Sequence, residues 1–91
     1  MRSEVMWFAN QMEKKLNRRM ASKDGWYDTK IRFLLYRLLE EVKELLEACQ
    51  KEFGLYNGVK DLNKIIDECV DVANFAMMIA DKMKNIQRER G

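Results

Sequence analysis

The chain of 91 residues has no histidine and no proline, and only two cysteines and four glycines. The missing histidine excludes Ser-His-Asp and Cys-His catalysis, zinc sites built on histidine, and the Glu-x-x-His motif of di-iron bundles. Any metal site must therefore be made of oxygen ligands. The missing proline and scarce glycine, set beside abundant Leu, Met, Ala, Glu, Lys and Arg, favour long helices over strands and turns. Cys49 and Cys69 stand alone in helical patterns. They read as small apolar thiols in a reducing cytoplasm, not as a disulfide or a metal site. A long hydrophobic run is also lacking. The longest apolar stretch, residues 72–80, is interrupted by Asn74 and too short to span a bilayer, and no apolar leader opens the chain. A cytoplasmic protein with no membrane partner is expected.

The length suits one helical domain over residues 1–91, with a core that is marginal unless apolar contacts come from elsewhere. A homo-oligomer, dimer or tetramer, follows as the expectation. The net charge of +2 hides an uneven layout, with basic residues crowded at 14–19 and 82–90 and acids at 40–52 and 61–71. Nucleic-acid binding would call for a stronger and more continuous basic balance, so it is disfavoured as a partner.

Apolar residues recur at helical spacing in three segments. The first runs over residues 4–20 through Val5, Phe8, Met12, Leu16 and Met20. Ser22-Lys23-Asp24-Gly25 breaks it, a loop carries Trp26 and Tyr27, and Asp28 or Thr29 is placed to cap a second helix that extends to residue 52. Residues 53–58, with Gly54 and Gly58, form the next turn. A third helix starts from a signal at 57–61 and runs to about residue 88, with room for a slight break near Asp81 and fraying over 87–91. The expected fold is all-α: three main helices in an antiparallel bundle that homo-oligomerisation completes.

On the second helix Leu34, Leu38, Leu45 and Ala48 form one stripe, Glu41 projects into its middle and Glu44 lies at its edge. The third helix repeats the arrangement, with Glu68 between Phe75 and Ile79 and Asp71 between Phe75 and Met78. A carboxylate among leucines costs several kcal/mol unless it is paired or coordinates a metal. The i,i+3 spacing makes each pair neighbours on one face, where like charges repel by roughly 0.2–0.5 kcal/mol when exposed and more when desolvated. A divalent cation reverses that sign, and four carboxylates facing across two antiparallel helices supply hard oxygen ligands for Mg²⁺ or Mn²⁺.

Glu40-Glu41-Val42-Lys43-Glu44 reads as E-E-x-x-E, and Glu68-Cys69-Val70-Asp71 as E-x-x-D. With Lys23-x-Gly25-Trp26 and Asp71-Val72-Ala73-Asn74, this pair of motifs resembles the MazG-like all-α nucleoside triphosphate pyrophosphohydrolases over nearly the whole chain. The resemblance implies hydrolysis of a nucleoside triphosphate, with deoxynucleotides favoured, between the α and β phosphates. The products would be a monophosphate and pyrophosphate. It implies a Mg²⁺ cofactor with Mn²⁺ as a substitute, metal held by Glu41, Glu44, Glu68 and Asp71, and a homo-oligomer with active sites near the subunit contacts. Glu41 joins Glu40 as the catalytic candidates. Glu40 is turned about 100° from Glu41 and takes a secondary role, orienting water or pairing with a neighbour. Which carboxylate accepts the water's proton stays open.

Asn74, one turn beyond Asp71, is placed to read a base or sugar hydroxyl, or else to make a helix–helix hydrogen bond. Lys82 and Lys23 are candidates for the distal phosphates, with a solvated surface lysine as the bland alternative for each. Trp26 and Tyr27 are candidates for stacking on a base. Met77, Met78, Ile79 and Met83 read as oligomer core. The rival reading is a catalytically silent helical oligomer, an interaction or scaffold module whose acids are held by lysines such as Lys43 and Lys64 and which needs no metal.

Overall fold

The computed structural model describes residues 1–19, 25–53 and 61–90. They form three helices, α1 (Ser3–Arg19), α2 (Ile31–Phe53) and α3 (Leu62–Arg90), with no strand among the described residues. Each helix begins for a local reason. At α3 the Asp61 side chain accepts the Lys64 backbone N–H at 3.0 Å, an N-cap bond of the kind that contributes about 1 kcal/mol. At α1 the Arg2 carbonyl accepts the first intrahelical bond, from Met6, Glu4 lies in the first turn, and Arg18 and Arg19 close the last.

The start of α2 corrects the expected cap. Thr29 N–H donates to the Trp26 carbonyl at 3.0 Å and closes a turn, so the helix begins only when the Lys30 carbonyl accepts from Leu34 N–H. Lys30, not Asp28 or Thr29, is the N-cap residue. The turn opens at Gly25, whose φ of +50° is strained for any residue with a Cβ. The long third helix is unbroken, and the slight break for which the sequence left room near Asp81 does not occur: α3 is one helix of 29 residues and stays helical through Arg90. The turn expected at 53–58 lies, beyond Phe53, outside the described residues.

The long α3 is the spine. Met12 and Lys15 of α1 meet Asn74 and Asp71 of α3, so rising numbers on one helix go with falling numbers on the other. Arg37 stacks over Phe75 while Glu41 and Glu44 meet Glu68, so α2 is antiparallel to α3 as well. The backbones of α1 and α2 nowhere come within 8 Å of each other among the described residues. They flank α3 and leave a groove between them.

The core is thin. Among the described residues four apolar ones are buried, Leu34, Ala48, Val70 and Met78, against five polar or charged ones, Lys15, Glu41, Glu68, Asp71 and Asn74. Natural interiors rarely bury so many charged groups unless those groups have work to do. The chain exposes 7412 Å², whereas a compact monomer of its mass, 10.9 kDa, exposes about 5,600 Å². The radius of gyration is 15.4 Å, against roughly 12 Å for a compact domain of this length.

Much of the surplus lies on α2, where Leu35, Leu39, Val42 and Leu46 are exposed at successive four- and three-residue steps, Leu39 to 66%. That stripe sits about 100° round the helix from the one packed on α3. It differs from the expectation that the surplus would be centred on α3. Met78 is buried within the chain, Met77 and Ile79 are half-buried, and only Met83 of that set is exposed.

Candidate functional site

The helical stripes carry their acids inward. Glu41 is 2% exposed, in line with the buried Leu34 and Ala48, and Glu68 is buried opposite it on α3. Glu41, Glu44 and Glu68 each bring a carboxylate oxygen within 4.8 Å of the other two. Glu44 is the exposed member, so the group opens to solvent on its side.

Each buried acid has one oxygen held and one bare. Arg37 donates to Glu41 Oε1 at 2.8 Å, and Lys64 lies 3.1 Å from Glu68 Oε1. Glu41 Oε2 and Glu68 Oε2 are buried with no hydrogen-bond partner among the described residues. Leaving a buried carboxylate oxygen without a donor is costly, and a cation removes that cost. The Glu41 carboxyl is pushed up from 4.5 to about 7, first by burial, then by the charge of Asp71 and by the neighbouring Glu44 carboxylate, with Arg37 pulling the other way. The donor set therefore fits a hard divalent cation: three carboxylates, oxygen only, two of them buried with one oxygen each left unmatched among the described residues.

Asp71 stands apart from that trio. Lys15 of α1 is 4% exposed and places its ammonium 2.7 Å from Asp71 Oδ1 and 2.9 Å from Asp67 Oδ1, while donating to the Asp67 carbonyl at 3.1 Å. The Arg19 guanidinium is 3.6 Å from the same Asp71 oxygen. Lys15 also holds the Asp67 carboxyl below its usual range by the hydrogen bond it donates. Of the four carboxylates expected to hold metal, three converge and the fourth is joined to two cations on α1, close enough for its charge to bear on Glu41. Glu40 is exposed and accepts from the other arm of Arg37 at 2.9 Å, outside the trio. Its geometry is that of a residue steadying the guanidinium that steadies Glu41.

In the groove between α1 and α2, beside Asp71 and the Arg37 that holds Glu41, lies a cavity of about 270 Å³. Trp26, Phe33 and Phe75 supply aromatic lining, and Lys15, Arg19 and Arg37 supply positive charge. Asn74 and Asp71 line it from α3. The Asn74 amide donates to the Met12 carbonyl at 3.4 Å, and its Oδ1 is buried without a partner among the described residues. Trp26 Nε1 donates to Asp81 Oδ2 at 3.1 Å, which fixes the indole at the edge of the cavity.

Lys82 is not in this cavity. Its ammonium donates to the Tyr27 carbonyl at 2.7 Å and lines a separate recess with Asn85 and Glu89. Lys23 lies outside the described residues. Among the described residues Lys43 is exposed and makes no ion pair, whereas Lys64 does hold Glu68.

Three residues of this region were not among the sequence candidates: Lys15, Arg19 and Arg37. Arg37 was readable, because it precedes Glu40 and Glu41 by three and four positions. Lys15 and Arg19 reach acids more than fifty positions away, and nothing local marks them.

Residues 9–87 match the family described as phosphoribosyl-ATP pyrophosphohydrolase, one of the MazG-like all-α superfamily; MazG itself is not the family that matches. An uncharacterized protein from Archaeoglobus fulgidus is 43% identical over 63 residues, which is 67% of this chain. The chain spans 59% of that protein's length. No solved structure matches.

Proposed function

The chain belongs to the phosphoribosyl-ATP pyrophosphohydrolase family, and from that premise we propose that it is a Mg²⁺-dependent pyrophosphohydrolase. Its substrate is a nucleotide bearing a 5′-triphosphate, a (deoxy)nucleoside triphosphate or phosphoribosyl-ATP. It cleaves between the α and β phosphates, leaving a monophosphate and pyrophosphate, in a cytoplasmic role of clearing or processing nucleotides. The observation that carries this reading is the pair of bare, buried oxygens, Glu41 Oε2 and Glu68 Oε2, in a trio of carboxylates.

Glu41, Glu44 and Glu68 would hold the metal. When bound, a hard divalent cation neutralises phosphate charge and lowers the pKa of a water to make a nucleophile. The protein's own part is orientation and proton handling. Arg37 and Lys64 each hold one oxygen of a buried acid and so fix the direction of the other. Without the cation the Glu41 carboxyl is pushed up to about 7, so it holds a proton part of the time at neutral pH and gives it up when the metal binds. Burial of the two glutamates keeps the surroundings of low polarity, which strengthens every charge interaction there. No protein nucleophile is needed.

The active form we propose is a homo-oligomer, supported by the uncovered stripe on α2 and by the surface in excess of a compact monomer. The scaffold reading draws its support from the ion pairs of Lys15, Lys64 and Arg37 with the buried acids. It leaves the two bare oxygens without a use. The discriminating experiment incubates the protein with a panel of ribo- and deoxyribonucleoside triphosphates and phosphoribosyl-ATP, in Mg²⁺ and in EDTA, with Glu68→Gln alongside. Metal-dependent turnover that Glu68→Gln abolishes supports the enzyme. No turnover with any member, together with a melting temperature indifferent to Mg²⁺, leaves the scaffold.

A further inference from the structure

The groove between α1 and α2 has two unlike walls. One is aromatic, with Phe33, Phe75 and the indole of Trp26, which its bond to Asp81 holds in place. The other is cationic, and its Arg37 reaches Glu41 of the acid trio. Of its three cations, Lys15 is fully engaged by Asp67 and Asp71, and Arg37 is forked onto Glu40 and Glu41. Arg19 differs: its side chain is 59% exposed and its one ion pair among the described residues, at 3.6 Å, is long. It is the guanidinium on this wall with donors to spare, and a guanidinium matches phosphate oxygens in a bidentate way.

On α3 the cavity meets Asn74, which is 5% exposed. Its amide nitrogen is committed to the Met12 carbonyl, so its orientation is set and its Oδ1 is left as an unmatched acceptor. A buried acceptor of that kind calls for an N–H from a ligand, and the surrounding rings call for a flat one. The volume of about 270 Å³ falls just below the roughly 300–1,000 Å³ of sites that take whole drug-sized ligands. It suits a nucleobase with the rest of the nucleotide outside, toward Arg19 and the acids.

We propose that this groove is the nucleotide-binding site, with the base against Phe33 and Phe75, Asn74 Oδ1 accepting an N–H of the base, and Arg19 binding phosphate. The assignment deepens the pyrophosphohydrolase reading and rests on it for the choice of a polyphosphate ligand. It moves phosphate recognition from Lys82, which is tied to Tyr27, to α1.

The test is binding without turnover. In a Trp7→Phe background, where Trp26 is the one remaining tryptophan, its fluorescence is followed against the four common nucleoside triphosphates in EDTA. At least one of them shifts the emission saturably. Arg19→Met then weakens that ligand about tenfold and flattens the salt dependence, whereas Lys82→Met leaves it within twofold. Deleting the base's N–H donors, with purine riboside triphosphate in place of ATP or 2-pyrimidinone riboside triphosphate in place of CTP, weakens binding about tenfold or more without touching the protein. Phe33→Ala, at a position already half in solvent, also weakens it. Emission that stays flat with all four triphosphates overturns the proposal, as does a loss on Lys82→Met but not on Arg19→Met. Binding as described with no pyrophosphate release in Mg²⁺ overturns the hydrolase reading and leaves the groove standing.

Discussion

Glu41→Gln separates a strained metal ligand from an ordinary structural acid, because the two predict opposite effects on stability. In the cation-free protein burial, Asp71 and Glu44 push the Glu41 carboxyl from 4.5 up to about 7. Between those values the folded chain binds more protons than the unfolded one, so stability falls as pH rises through that window, and the loss is complete above it. A shift of that size corresponds to about 3 kcal/mol at pH 8, about 2 at pH 6 and under 1 at pH 5. Glutamine carries none of it. Against this gain stands the charge-assisted bond to Arg37, and its weakening takes back roughly 1 kcal/mol. The expected net result is a variant about 2 kcal/mol more stable than wild type at pH 8 and nearly equal at pH 5. The assay is thermal or urea unfolding in EDTA at both pH values and one protein concentration, with about 10 °C expected between the two melting curves at pH 8. Added Mn²⁺ at a hundredfold over its dissociation constant raises the wild type by about 2.7 kcal/mol and the variant by far less. A variant that is less stable than wild type by the same amount at pH 5 and pH 8 refutes the reasoning, for then Glu41 serves only as a partner of Arg37.

Other consequences follow from the same geometry. Because Glu41 must shed a proton to serve as a ligand, Mn²⁺ binding releases protons below pH 7 and tightens about fivefold from pH 6 to pH 7, measured by titration calorimetry in buffers of different ionisation enthalpy. Lys15→Met leaves Asp71 buried without its nearest cation and unties α1 from α3; a loss of about 3–5 kcal/mol is expected in urea unfolding, and a loss under 1 kcal/mol contradicts it. Wild type sediments as a dimer or larger species, and Leu39→Glu, in the exposed α2 stripe, shifts it toward the 10.9 kDa monomer. A wild-type monomer at high micromolar concentration refutes that use of the stripe. Gly25→Ala forces a Cβ into a φ of +50° and is expected to cost about 1 kcal/mol in unfolding, with no steric clash to add to it.

The all-helical fold and the inward acids were legible because both are written in one helix at a time. Leu34, Leu38, Leu45 and Ala48 repeat with the helical period, Glu41 breaks their stripe, and the structure buries Glu41 where that pattern puts it. Asp61 was legible as a start signal for the same local reason. What lay between helices was not. The pairing of Lys15 with Asp71 depends on the register of α1 against α3, which no spacing within either helix records. Asp71 was therefore grouped with the other acids on the strength of its motif, whereas its nearest partners are cations. Lys82 was assigned by its angle on α3, but the turn at residues 25–28 folds back and offers it the Tyr27 carbonyl. The apolar surplus was looked for on α3, the more evenly apolar helix. The helix packed on both sides is also the one its neighbours cover, and the bare stripe is left on α2.

Cleavage of one bond by a metal held on Glu41, Glu44 and Glu68 is read directly by phosphorus NMR of the products. With Mg²⁺ and the best triphosphate of the panel, the account predicts equal growth of monophosphate and pyrophosphate signals, no diphosphate, and silence in EDTA or with Glu68→Gln. Orthophosphate and diphosphate as the products, or pyrophosphate release that continues in EDTA or survives Glu68→Gln, would contradict it.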